Sequence, residues 1–264
     1  MSEKSISSID KLQSRRAALR VGVGSLIAGG LARVTRGAVL TTVTPVETQG
    51  PFWVDTRLNR SDVRTNTDTS TNSNRNSSIT GNSDSPQLGF PIYLTVTVSK
   101  LANGVSTPLS GAYVDIWHAN AYGNYSDEAA GQGNANTQGY NWLRGYQLTS
   151  SRGVVNFVTN WPGFYTGRTP HIHCRVRTFS GTTTTLNTTT QFFFDDTVSD
   201  YVFKNYAPYN TRTGLSSRTY NSTDGVYNTV SSGSTTSAPD GSRLLLRLQR
   251  GATYATASFN VVVA

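Results

Sequence analysis

From Phe90 onward, apolar and polar positions alternate in short runs. Residues 93–98 (Y-L-T-V-T-V) and 112–118 (A-Y-V-D-I-W-H) show a period of two, as do 154–159, 172–178, 189–194, 244–248 and 257–263. Successive side chains of a strand point to opposite faces, so each run predicts a β-strand with one face turned to a core. Gly, Asn, Ser or Pro bound most of the runs. β-Branched and aromatic residues dominate them, and no stretch after residue 37 carries a convincing amphipathic helical pattern. The expected fold is mostly β: a single-domain antiparallel β-sandwich with long loops.

Two segments stand apart from this pattern. Residues 61–85 are Asn, Ser, Thr and Asp with almost no apolar positions, which predicts a polar loop or a disordered insertion. Residues 201–242 are rich in Tyr, Asn, Ser and Thr and read as loop, wrapping an edge of the sandwich. Nearer the N-terminus, T-P-V-E-T-Q-G-P-F-W-V over 44–54 predicts an extended segment broken by Pro45 and Pro51.

The chain has 264 residues and a formal net charge of +8, which suggests nucleic-acid binding until the charges are placed. Lys4, Lys11, Arg15, Arg16, Arg20, Arg33 and Arg36 precede Ala38, against Glu3 and Asp10. From Ala38 on, 16 basic and 13 acidic residues leave only +3. These are scattered, with no basic stripe to follow a phosphate backbone, so no nucleic-acid partner is expected. The leader explains the excess. S-R-R-A-A-L-R over 14–20 resembles a twin-arginine export motif, and the apolar run 21–32 is too short to span a bilayer. The expectation is a removable signal over 1–37, a mature domain over 38–264, export to the periplasm or beyond, and no stable membrane anchor. Cys174 is the one cysteine, so no internal disulfide is available, and its place beside Ile172 and Val176 reads as a small buried hydrophobe.

Chemistry concentrates in W-P-G-F-Y-T-G-R-T-P-H-I-H over 161–173. The chain has only three histidines, and here His171 and His173 share one strand face, able to aim two imidazoles at one metal ion. A two-histidine, one-carboxylate iron site needs His-x-Asp or His-x-Glu, which is absent. A cupin-type site needs a glutamate soon after the pair, and none follows Glu128. A zinc or copper site of His171, His173 and His118 is chemically feasible and implies a hydrolytic or redox protein. The other completion uses phenolates, with Tyr125 and Tyr165 as candidates among 13 tyrosines; such donors call for a strongly Lewis-acidic cation such as ferric iron.

The motifs D-I-W-H-A-N-A-Y-G-N-Y-S over 115–126, R-G-Y-Q-L-T over 144–149 and P-G-F-Y-T-G-R-T-P-H-I-H over 162–173 resemble those of the intradiol ring-cleavage dioxygenases. T-Q-G-P-F over 48–52 is similar to the segment lining that family's substrate pocket. The resemblance runs in order over roughly 44–195. It implies a non-haem Fe(3+) centre bound by Tyr125, Tyr165, His171 and His173, with Tyr165 matching the axial tyrosine that leaves the iron when a catechol binds. Arg168 falls where the family has an arginine that steadies negative charge on the substrate, Gln191 where it has a supporting glutamine, and Gly50 and Pro51 on the substrate side. The implied reaction inserts O2 between the two hydroxylated carbons of a catechol to give a muconate-type diacid. Weighed as residues alone, His118 suits a hydrogen-bonded core histidine, and Trp117 and Trp161 suit core anchors.

The sequence departs from the family pattern in two ways. Only residues 166–170 separate Tyr165 from His171, a shorter connection than in the catechol and protocatechuate enzymes, implying a more open cleft that admits bulky catechols. The helical N-terminal dimer module of catechol 1,2-dioxygenases is also missing, so any homo-oligomer would use another surface. The remaining rival is non-enzymatic: a secreted carbohydrate-binding β-sandwich whose tyrosines stack on sugars.

Overall fold

A computed structural model describes residues 42–67, 85–229 and 240–264. The expected leader over 1–37, most of the polar segment (68–84) and residues 230–239 lie outside the described residues.

Nine strands among the described residues form two sheets. In the first, β1 (Pro91–Ala102) turns through Asn103 and Gly104 into β2 (Val105–Pro108). Both turn residues have positive φ, 50° and 74°, which the Asn-Gly pair adopts at low cost in a two-residue hairpin. Along the same edge, β5 (Val154–Asn160) pairs antiparallel with residues 91–97 of β1. On the other edge β1 meets β9 (Ala255–Val263), which pairs with β8 (Arg247–Arg250). The second sheet has the order β4 (Arg144–Leu148), β3 (Tyr113–Trp117), β6 (His171–Ser180), β7 (Thr183–Phe193) and is antiparallel throughout.

The expected mostly-β class holds, with corrections. The β1–β9 pairing is parallel, so the sandwich is mixed rather than purely antiparallel. Local alternation sets which face a residue takes but carries no information about the direction of its neighbour. Residues 240–244 form a 3-10 turn, and the expected strand over 244–248 shifts to Arg247–Arg250. The loop expectation over 201–242 misses one helix, α1 (Asp196–Asn205). Asp195 caps it by accepting from the backbone N–H of Thr197 and Val198, and Val202 and Phe203 are buried. 3-10 turns over 209–211, 215–217 and 221–223 follow.

Between the sheets, Leu94, Val96 and Val98 of β1 pack with Val114 and Ile116 of β3 and Ile172, Cys174 and Val176 of β6. Trp161 and Phe157 complete this core, and Cys174 is buried within it, as expected. Period-two geometry then puts the alternate residues of β3, β6 and β7 on the far side of the second sheet. Register aligns Trp117 with His173, His173 with Gln191, and His171 with Phe193. That far face is not left to solvent. The 44–54 segment passes along the β7 edge onto it: Thr190 Oγ1, on the inner side, donates to Pro45 O, the N–H of Glu47 donates to Thr189 O at the edge, and Gln191 Nε2, on the far face, donates to Thr48 O.

Candidate active site

Covered strands thus provide a buried floor, and loops bring the rest. His171 and His173 are 2% and 1% exposed. The N–H at His171 Nδ1 donates to Thr169 O at 2.6 Å, which leaves the Nε2 lone pair pointing inward. His173 lies flat against Trp117, with ring centroids 4.7 Å apart and planes within 7°. Gly50 passes over its other side: a Cβ there would sit 3.4 Å from His173 Cε1, and the φ of +67° suits glycine. Pro51 is exposed at the margin.

The first phenol comes from the turn after β3. Tyr125 is held at its backbone, where its N–H donates to Asn134 Oδ1 at 2.6 Å and its carbonyl accepts from Thr137 Oγ1 at 2.5 Å. Its ring stacks on Phe52, centroids 4.5 Å apart. The second arrives on a tight turn. Arg168 N–H donates to Tyr165 O at 3.2 Å, and Gly167 has the φ of +80° that the third position of a type II turn requires. The short connection noted in the sequence is this turn, and it sets Arg168 across from Tyr165.

Four side-chain atoms converge. Tyr125 Oη lies 3.1 Å from both His171 Nε2 and His173 Nε2, and 3.5 Å from Tyr165 Oη. Tyr165 Oη is 3.3 Å from His171 Nε2, and the two Nε2 atoms are 3.2 Å apart. Burial drives the Tyr125 hydroxyl pKa well above its usual value and also raises that of Tyr165. Burial, then the Arg168 charge, drives both imidazoles well below theirs. With protein groups alone the phenols keep their protons and the imidazoles stay neutral; phenolates at this point demand a compensating cation. Two oxygen and two imidazole donors packed this closely suit one ion.

Arg168 is not a loose surface cation. Its Nε donates to Asp224 Oδ1 and Oδ2 at 3.2 and 3.0 Å, and its Nη2 to Gln191 Oε1 at 2.6 Å. Gln191, fully buried beside His173, therefore links Arg168 to the 44–54 segment. His118 does not join the cluster. It is 1% exposed in the interior, with Nδ1 on Ala119 O at 2.8 Å and Nε2 on Thr159 Oγ1 at 2.6 Å. Among the described residues no three His, Cys, Asp or Glu side chains gather as a metal site, so the three-histidine alternative is not favoured. Trp161 is a core anchor as expected, whereas Trp117 is a wall of the site.

Several residues of the site had no sequence signal strong enough to single them out. Asp224, fully buried, accepts from Arg168 and from the backbone N–H groups of Thr169, Val226 and Tyr227. Asn221 Oδ1 accepts from Thr169 Oγ1, so one loop clamps the backbone just before His171. Arg144, 2% exposed, donates to Phe52 O, Ser126 O and Oγ, and Glu128 Oε1, tying the Tyr125 turn to the 44–54 segment. R-G-Y-Q-L-T was read as a family motif, which was the available hint.

Fold and cluster together define a β-sandwich protein with a two-tyrosine, two-histidine centre on the loop-covered side of one sheet. A family model described as "Dioxygenase" matches residues 68–232, more than half of the chain, and the chain belongs to that family. Among solved structures, an intradiol ring-cleavage dioxygenase from Tetranychus urticae is similar, with 23% identity, a TM-score of 0.62, and 84% of this chain and 94% of that one covered. The dioxygenase domain of a dioxygenase–carbohydrate-binding fusion from Streptomyces sp. SirexAA-E aligns with 20% identity, a TM-score of 0.50, and 84% and 100% covered. At these identities the two share a fold with this chain. No curated protein matches it. The motif-based resemblance to intradiol ring-cleavage dioxygenases is borne out, and the non-enzymatic reading is not favoured.

Proposed function

We propose that this dioxygenase is ferric-iron-dependent and opens catechol-type aromatics between their two hydroxylated carbons, consuming O2 and giving a muconate-type diacid. The observation that carries this reading is the convergence of Tyr125, Tyr165, His171 and His173 at 3.1–3.5 Å. These four would hold the ion. When bound, Fe(3+) supplies Lewis acidity that favours the doubly deprotonated catechol and opens its ring to oxygen.

The chain's own groups then divide the work. Tyr125 is buried and fixed by its stack and backbone ties, whereas Tyr165 is half-buried beside an open cleft. Tyr165 Oη is the atom suited to take up a proton from a catechol hydroxyl, since it can exchange with solvent. Arg168, held by Asp224 and Gln191, puts a fixed positive charge beside the cluster, where negative charge grows on the substrate. Phe52, Trp117 and Trp53 keep bulk water from the imidazole side. Gly50, and Pro51 at the margin, border the substrate space. Export through a twin-arginine signal over 1–37 belongs to the same proposal, supported by the S-R-R-A-A-L-R motif.

Turnover of catechol under 18O2 by iron-loaded protein tests the reading. The expected result is a diacid carrying both labelled atoms; a ring-hydroxylated product, or no O2 uptake, would overturn it.

A further inference from the structure

Beside Tyr165 lies a cavity of about 480 Å³, within the usual size of a ligand pocket. Tyr122, Tyr165, Arg212, Ser217, Arg218 and Thr219 contribute side chains, and no Asp or Glu among the described residues lines it. The two arginines differ. Arg218 is satisfied by carboxylates, its Nε on Asp200 Oδ1 at 2.8 Å and its Nη1 on Asp196 Oδ1 at 3.0 Å. Among the described residues Arg212 holds only backbone carbonyls, with Nη1 on Ala121 O at 2.8 Å and Nη2 on Phe164 O at 3.0 Å. Its guanidinium lies 3.9 Å over the Phe164 ring, which fixes the charge in place. Burial lowers its pKa to about 10, with no carboxylate among the charges acting on it, so it stays cationic at neutral pH.

This charge stands beside the base of the Tyr165 side chain, whose hydroxyl joins the cluster. A Cβ placed on Gly123 would lie 3.3 Å from both Arg212 Nη2 and Tyr165 Cβ, so a single glycine separates them. Tyr165, a member of the cluster, and the exposed Thr166–Gly167 turn both line the cavity. A partly buried cation with no carboxylate partner among the described residues favours an anionic group.

Resting on the reading of the cluster as a catechol site, the geometry points to a substrate class: catechols bearing a carboxylate on a short arm, with the ring at the Tyr125–Tyr165 cluster and the acid at Arg212. The arm passes Tyr165, and Ser217 and Thr219 offer hydroxyls at the pocket rim.

Equilibrium binding tests this without turnover. Iron-loaded protein is titrated with 3-(4-hydroxyphenyl)propionate and with its neutral amide, in wild type, Arg212→Gln and Ser217→Glu. Ser217 is exposed, so its replacement adds a negative charge at the rim without disturbing the core, and it keeps the test decisive even if the loss of the Arg212 bonds unsettles its surroundings. The acid is expected to bind wild type at least about tenfold more tightly than the amide, the scale of one charge-assisted hydrogen bond. That ratio should collapse towards one in Arg212→Gln and invert in Ser217→Glu. A ratio near one in wild type, or one untouched by both substitutions, overturns the inference. Catechol turnover, followed in parallel, reports on the parent reading: its loss would refute that reading, while the affinity ratio still decides whether the pocket takes anions.

Discussion

At the start of β6, over residues 171–174, both faces are buried, by opposite means. Ile172, Cys174 and Val176 are covered by the facing sheet, whereas His171 and His173 are covered by segments far away in sequence. Phe52 and Gly50 come from before β1, Tyr125 from the turn after β3, and Asp224 from beyond α1. The inner face carries the fold, and the outer face borrows its burial from loops to make a polar, cation-demanding centre.

Substitutions on the two faces should therefore separate activity from stability. His173→Ala removes a proposed ligand and should lower turnover by at least about 10³-fold, the several kcal/mol expected of lost metal catalysis. It should destabilise the iron-free protein less than an inner-face truncation, because His173 Nδ1 is buried with no hydrogen-bond partner among the described residues. Ile172→Ala, one position away, should cost about 2–5 kcal/mol in urea unfolding while the folded fraction keeps its spectrum. If both substitutions unfold the protein alike, the division between faces is wrong.

Asp224→Asn sharpens the comparison, since Asp224 reaches the site only through Arg168 and Thr169. Removing its charge should reduce kcat/KM by about 10–100-fold with iron still bound. Loss of the iron itself would show that Asp224 supports the cluster rather than the arginine.

The smallest effect concerns pH. Burial lowers the His118 pKa to about 4 from 6.5, so the unfolded chain binds this proton first as pH falls. The neutral ring's contribution is complete above pH 6.5 and is lost progressively towards pH 4, by a few kcal/mol at most. Asp115 works the other way, because burial raises its pKa to about 6 and protonation below that pH favours the fold. The His118→Gln variant should therefore lose less unfolding free energy than wild type between pH 7 and 5. Parallel losses would show that His118 is not the titrating group.

The same contrast explains what the sequence revealed. Inner-face alternation made most strands legible, and the i, i+2 spacing placed His171 and His173 together. Tyr125 and Tyr165 sit on loops, where spacing carries no direction, and only family motifs singled them out. Asp224 lies 56 residues beyond Arg168 in a segment without periodicity, so nothing local announced it. The parallel partner of β1 was illegible for a similar reason, since pairing direction is decided by the whole sheet. Helix α1 buries only Ser199, Val202 and Phe203, too few to outline an apolar stripe.

Ferric iron titrated into metal-free protein, followed by visible absorption, tests the central claim most directly. Four donors around one ion predict a tyrosinate charge-transfer band that saturates at one equivalent and weakens in both Tyr125→Phe and Tyr165→Phe. A colourless protein, or a band that neither substitution changes, would contradict it.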